Sequence, residues 1–138
     1  MIQGVDHIGI ATRSIEESRK IYETLGLEVE EIEVVESEGV RVAIIPCGDG
    51  TRIELLEPIR DDSPIASFLE KRGPGIHHIC LKSGDVHQDS NRLKEDGFRV
   101  LRPEPTPGAG GSLVNFIHPK SVGGVLVELA EPGGSTHE

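Results

Sequence analysis

The chain carries its own plan twice. Placing Val5-Asp6-His7-Ile8-Gly9-Ile10 on Ile76-His77-His78-Ile79-Cys80-Leu81 sets an offset of 71 residues, and the offset holds well beyond these six positions. Under it Ser14-Ile15 falls on Asp85-Val86, Gly26-Leu27 on Gly97-Phe98 and Val29 on Val100. A small length change then brings Ile53-Glu54-Leu55-Leu56-Glu57-Pro58 onto Val127-Glu128-Leu129-Ala130-Glu131-Pro132. Two copies are too few for a solenoid, which needs about three to bury a continuous core, so the duplication points to one domain built from paired modules. At 138 residues the chain has the size of one ordinary domain, and with only 3% aromatic residues its core must be filled by Ile, Leu and Val.

Periodicity gives each copy the same order of elements. Residues 5–11 and 76–82 are β-branched runs that read as strands, each followed by a helix-start signal. Ser14 with Glu17 has capping-box spacing, and Asp85 with Gln88 is a looser version. Helices are expected near 15–25 and 86–96, presenting Ile15, Ile21, Tyr22, Leu25, Val86 and Leu93 to the core, with Gly26 and Gly97 where a C-terminal cap belongs. Strands then follow over 27–35, 40–46 and 51–57, and over 98–103, 112–118 and 124–130. Between the copies, Ser63-Pro64 through Arg72-Gly73 has an N-cap, a proline at the first helical position and a terminal glycine, and reads as a linker helix over about 63–73. The expected class is α+β: a single domain over 1–138, with βαβββ modules about 3–60 and 75–132 forming a concave mixed sheet.

Composition narrows the function classes. A formal net charge of -10 argues against broad nucleic-acid binding, which needs clustered Lys and Arg, and favours a small-molecule ligand. The start MIQGVDHIGIA lacks a basic segment followed by a long apolar one, and no stretch approaches the roughly 18 apolar residues of a membrane span. Cys47 and Cys80 follow no metal spacing and are too few for a disulfide scaffold, so reduced thiols and a cytoplasmic location are expected.

The duplication singles out four residues. His7 and His78 hold equivalent places in the first strand of each copy, and Glu54 and Glu128 hold equivalent places in the last. Side chains alternate across a strand, so each of these projects opposite its apolar neighbours. A lone strand histidine is most often a hydrogen-bonded core or surface residue; repetition in both copies is what raises these four above that reading. Together they offer a mixed nitrogen and oxygen set that suits Zn, Co, Ni, Mn or Fe, and a duplicated fold that has lost its metal is the competing reading. His77 takes the parity of Asp6 and is expected on the other face. His87, His118 and His137 have no symmetric partner and read as surface or outer groups. Glu57 and Glu131 repeat as well, but each precedes proline with the opposite parity, and both read as structural.

Taken together, DHIGIA, IELLEP, DSPIASFLEKRGPGIHHI, the PGAGG turn and HPKSVGGVLVEL resemble the methylmalonyl-CoA epimerases of the vicinal-oxygen-chelate superfamily, over almost the whole chain. DHIGIA alone is a superfamily signal shared with glyoxalases and ring-cleaving dioxygenases, whereas the linker-helix and HPKSVGGVLVEL segments are far more specific. Glyoxalase I relatives usually carry a DPDGY-like turn before the last strand. The resemblance implies interconversion of (2R)- and (2S)-methylmalonyl-CoA by proton abstraction at C2 through a metal-stabilised enolate. It places the ligands of one divalent ion (Co, Mn, Ni, Zn or Fe) on His7, Glu54, His78 and Glu128, the four that the repeat selects. Glu128 is implied to act as one acid/base group as well, and a homodimer is the family's expectation.

One departure matters. The family's second base is a glutamate two residues before a Gly-Val pair, and before Gly39-Val40 that position is Ser37. Glu38 is the candidate replacement and Glu36 its neighbour; both also read as solvated charges of an acidic hairpin. Lys120 and the Pro107 to Gly111 turn are candidates for the coenzyme A tail, with an ordinary exposed lysine and a simple glycine turn as the competing readings. Three other functions stay open: a glyoxalase I-like isomerase, an epimerase of a related 2-substituted malonyl-CoA, and a metal-free ligand-binding or resistance module.

Overall fold

Strand β1 (Ile2–Ala11) buries alternate residues from His7 onward, as a strand with two different faces must. The computed structural model describes residues 1–133, and the chain separates into two units: His7–His77, and Met1–Asp6 together with the chain from His78 on. The first unit contains the His7 end of β1, then α1 (Ile15–Thr24), β2 (Glu31–Val35), β3 (Val40–Pro46), β4 (Arg52–Pro58) and α2 (Pro64–Arg72). Its strands run in the order β2-β3-β4-β1, antiparallel except for the parallel pair β1 and β4. The second contains β5 (Gly75–Ser83) from His78, then α3 (Val86–Glu95), β6 (Thr106–Pro107), β7 (Leu113–Ile117) and β8 (Leu126–Glu131). Its order is β5-β8-β7-β6, with β5 and β8 parallel. Each is a βαβββ arrangement, so the class is α+β. No helix among the described residues is long and apolar enough to cross a membrane.

Parity assigns each sheet face its job. In the first unit Ala43, Ile45 and Leu55 are fully buried with Ile15 of α1, and Ile10, Tyr22 and Ile53 pack on them. The opposite face buries Ala11, Val40, Val42 and Leu56 with Ile65 and Leu69 of α2. The second unit repeats this, with Val86, Ile117 and Leu129 on the α3 side and Cys80, Val114 and Ala130 opposite. Each fully buried Ile or Leu contributes about 1.5–3 kcal/mol through water removal.

The same side-chain device starts α1 and α3. Ser14 accepts the Glu17 N–H and Asp85 the Gln88 N–H, as N-caps do. Thr12 and its equivalent Ser83 accept the N–H of Ser14 and Asp85, while their hydroxyls reach Ser18 and Asp89, again equivalent positions. Asp89 is buried; burial pushes its carboxyl up, but the Ser83 hydroxyl, the Met1 ammonium and Arg92 outweigh that and leave it below the usual range. Glu57 then accepts the Ile15 N–H at 3.1 Å and Glu131 the Val86 N–H at 3.0 Å. The structural role expected of both glutamates is thereby explained: each puts a carboxylate on a helix N-terminus, where unpaired N–H groups and the helix dipole favour negative charge. Glu131→Ala is expected to cost about 1–2 kcal/mol in chemical denaturation, and Glu131→Gln much less, because the amide oxygen still accepts the bond.

Three local expectations are corrected. Ile21 and Leu25 are not core residues: they are 61% and 70% exposed. Ile21 lies about 120° around the helix from Ile15, and Leu25 is the C-cap, past the last turn that faces the sheet. The segment 98–103 makes only an isolated bridge, Val100 to Ile117, and the sheet edge is the two-residue β6 instead. Pro103 cannot donate to a ladder, and the Arg102 N–H goes to the side chain of the fully buried Asn115, whose amide also donates to the Arg102 carbonyl. In the first unit the strand expected over 27–35 begins only at Glu31. The linker helix has its expected ends: Ser63 caps the Ile65 N–H, Pro64 opens α2 and Gly73 closes it.

Candidate functional site

The register of the parallel strands builds a histidine–glutamate pair in each unit. Along β1 and β4, His7 lies opposite Arg52 and Gly9 opposite Glu54, which puts His7, Arg52 and Glu54 on one face. His7 is 6% and Glu54 7% exposed, so both need polar partners. His7 Nε2 is 3.4 Å from Glu54 Oε1, and Arg52 Nη2 donates to Glu54 Oε2 at 3.0 Å. The same Nη2 lies 3.5 Å from His7 Nδ1. Along β5 and β8 the register repeats, His78 opposite Leu126 and Cys80 opposite Glu128. His78 is 7% exposed, and its Nε2 is 3.2 Å from Glu128 Oε1. All four expected ligands thus sit in matched pairs, one in each unit.

The donor spacing suits a metal. Two ligand atoms about 2.1 Å from one ion lie roughly 3.0 Å apart at an octahedral edge and 3.4 Å at a tetrahedral one. The separations within the two pairs fall in that interval, and imidazole nitrogen with carboxylate oxygen is the donor set that first-row divalent ions take.

Sequence reasoning missed Arg52. Its signal was its place two residues before Glu54, hence on the same face. Glu33 on β2 was missed as well: burial and then the neighbouring Glu31 push its carboxyl up, Glu54 adds to this, and Arg52 partly offsets it.

The remaining candidates take varied places. His77 meets Phe68 edge-on at 5.1 Å between ring centroids. His87 is exposed, 3.5 Å from Glu104, and His118 Nδ1 accepts the Lys120 N–H in a short turn. His137 lies outside the described residues. Lys120 is exposed, and the Pro107 to Gly111 segment holds a turn closed by the Gly108 N–H on the Ser112 carbonyl. Glu36, Ser37 and Glu38 form a single exposed 3₁₀ turn between β2 and β3, so strand parity does not govern where they point. Gly39 ends that turn at φ 65°, a left-handed conformation that favours glycine, and a Cβ there would also push against the movable Arg60 guanidinium, 2.9 Å away.

A profile of the glyoxalase/bleomycin resistance protein/dioxygenase superfamily matches residues 6–116. The ethylmalonyl-CoA/methylmalonyl-CoA epimerase of Cereibacter sphaeroides is 45% identical over 134 residues, 95% of this chain and 99% of that one. Among solved structures, methylmalonyl-CoA epimerase from Mycobacterium tuberculosis has a TM-score of 0.92 and 36% identity, over 99% of this chain and 92% of that one. A Streptomyces coelicolor methylmalonyl-CoA epimerase variant in complex with 2-nitronate-propionyl-CoA has a TM-score of 0.88 and 40% identity, over 96% and 99% of the two chains.

Proposed function

Because the chain belongs to the glyoxalase/bleomycin resistance protein/dioxygenase superfamily, we propose that it works as one domain and is a metal-dependent epimerase interconverting (2R)- and (2S)-methylmalonyl-CoA. The observation that supports this reading best is the histidine–glutamate pair built twice on the same register, with both histidines buried, in a chain similar to epimerases along nearly its whole length. His7, Glu54, His78 and Glu128 would hold a single divalent ion, with Co, Mn, Ni, Zn and Fe the candidates. When bound, such an ion supplies Lewis acidity that offsets negative charge on the substrate oxygens.

The hydrogen at C2 of methylmalonyl-CoA lies between a thioester and a carboxylate, so removing it spreads charge onto the flanking oxygens. Epimerisation needs a proton taken from one face and returned to the other. Glu128 takes the C2 proton on its face; Glu38, at the hairpin that lacks the family's glutamate, delivers one on the opposite face, and the roles exchange in the reverse direction. A ligand carboxylate is a weakened base, which a carbon acid activated on both sides tolerates. The acyl-CoA is the only partner the proposal requires, without nucleic acid or membrane, and a cytoplasmic homodimer is the matching expectation.

Proton NMR of methylmalonyl-CoA in deuterated water tests this directly. With protein supplied with each candidate ion, the C2 proton signal should disappear and EDTA should stop its loss. Ethylmalonyl-CoA belongs in the same panel, because the Cereibacter relative's name carries both substrates. Absence of exchange with every ion, together with turnover of the methylglyoxal–glutathione hemithioacetal, would move the assignment to a glyoxalase I-like isomerase. Protein that takes up no ion and turns over neither substrate would instead be a binding module.

A further inference from the structure

Arg52 stands where the two ligand candidates of the first unit meet. Its Nη2 donates to Glu54 Oε2 at 3.0 Å and approaches His7 Nδ1 at 3.5 Å, while His7 Nε2 lies 3.4 Å from Glu54 Oε1. A guanidinium has only N–H donors and stays protonated, so its bond to His7 requires a bare Nδ1. The tautomer that such a bond selects carries its proton on Nε2, facing the carboxylate. His7, Glu54 and Arg52 thus stand in a ring of close contacts, and in that tautomer one carboxylate would receive both a guanidinium and an imidazole N–H. In the second unit the corresponding place belongs to Leu126, opposite His78 as Arg52 is opposite His7. At this register position the first unit has an arginine and the second a leucine.

We infer that Arg52 is a resident counter-cation of the His7–Glu54 pair: it holds both side chains in the metal-free protein and competes with a divalent ion for them. The inference rests on the metal-centre reading above and says how that centre is tuned. Ligation through His7 Nε2 needs that nitrogen bare, so the imidazole proton moves to Nδ1 and faces the Arg52 N–H groups. The contact between Arg52 and His7 is then lost. Its bond to Glu54 Oε2 survives, but guanidinium and dication now share one carboxylate and repel each other. Arg52 therefore stabilises the metal-free arrangement more than the loaded one, and by linkage it lowers the ion's affinity. An opposing effect exists, because an outer partner that orders a ligand raises affinity. Ordering recovers the rotamer entropy of one carboxylate side chain, whereas the repulsion sets a unit charge against a double one beside buried groups, so repulsion wins.

Calorimetric titration of the full, ion-free chain with Mn²⁺ decides the matter. Arg52→Gln should bind on the order of tenfold more tightly than the unaltered protein, and Arg52→Lys should stay close to it. Arg19→Gln removes the same charge from the exposed Arg19–Glu23 pair and should change nothing. Nitrogen-15 NMR of the ion-free protein gives a second readout: His7 should be the Nε2–H tautomer, and Arg52→Gln should lose that preference. Equal or weaker Mn²⁺ binding by Arg52→Gln overturns the inference, as does an Nδ1–H tautomer of His7 in the unaltered protein. Failure of the unaltered protein to take up Mn²⁺ or any other candidate ion sinks the metal-centre reading instead, and the competition with it.

Discussion

His78→Ala is expected to abolish ion binding and, with it, methylmalonyl-CoA epimerisation. His78 is half of the second unit's histidine–glutamate pair, and its Nε2 is the atom that meets Glu128. Under the proposed function, removing one ligand from four takes away the Lewis acidity, worth several kcal/mol, so turnover should fall by about 10³-fold or more. Elemental analysis of the unaltered protein should show one ion per chain, and of the variant close to none. Full occupancy in the variant would remove His78 from the ligand set. The fold should survive, since His78 projects on the face opposite the cluster of Val86, Ile117 and Leu129. Should the alanine variant be insoluble, His78→Gln keeps most of the side-chain volume without an imidazole and reads the same loss.

The two pairs were legible in the sequence because a strand imposes a period of two and the chain repeats its strands. Each His–Glu pair needed only parity and the offset to be placed on one face, and each appears there as expected. Arg52 was legible in principle by the same parity. The repeat does not mark it, because a charge two residues before Glu54 has no counterpart in the other copy, where Leu126 stands. What alternation cannot supply is the behaviour of backbone leaving a strand. Pro103 and the Asn115 side chain together divert the segment expected over 98–103, and neither effect shows in the apolar pattern of Phe98, Val100 and Leu101. Ile21 and Leu25 failed for a related reason: a short helix presents a narrow stripe, and apolar character alone does not place a residue in it.

Symmetry also explains why the structural carboxylates separated so cleanly from the site carboxylates. Glu57 and Glu131 lie three residues after Glu54 and Glu128, an odd spacing, so they emerge on the helix side and meet the first N–H of α1 and α3. Each last strand therefore serves both faces: one glutamate toward the histidine of its own unit, the next toward a helix start. A one-residue slip of β4 or β8 would exchange these roles and bury the apolar set on the wrong side, so the helix-start bonds help pin the register on which the histidine–glutamate pairs depend.

Glu38→Gln is expected to lower epimerisation by about 10²- to 10⁴-fold while leaving C2 hydrogen exchange from one epimer intact. The substitution keeps the size of the side chain and removes its ability to take up or release a proton. Glu38 sits in a 3₁₀ turn, not in a strand, so the parity that would set it on the face opposite Ser37 does not apply. The turn is anchored from outside: Arg60 donates to the Glu36 carbonyl at 2.8 Å, and Gly39 leaves room for that guanidinium. With Glu128 still acting on its own face, solvent deuterium should enter one epimer at C2 without inversion, an asymmetry that loss of a surface charge cannot produce. Glu36→Gln, in the same turn, is the matched control and should leave both rates nearly unchanged. Ser37→Glu restores a carboxylate where the family carries its base, and on the Glu38→Gln background it should recover much of the lost inversion. If Glu36→Gln proves the damaging change, the turn presents a different carboxylate. If neither substitution slows inversion, the second proton passes through Ser37 or a water it holds, and Glu38 is one more solvated charge of an acidic hairpin.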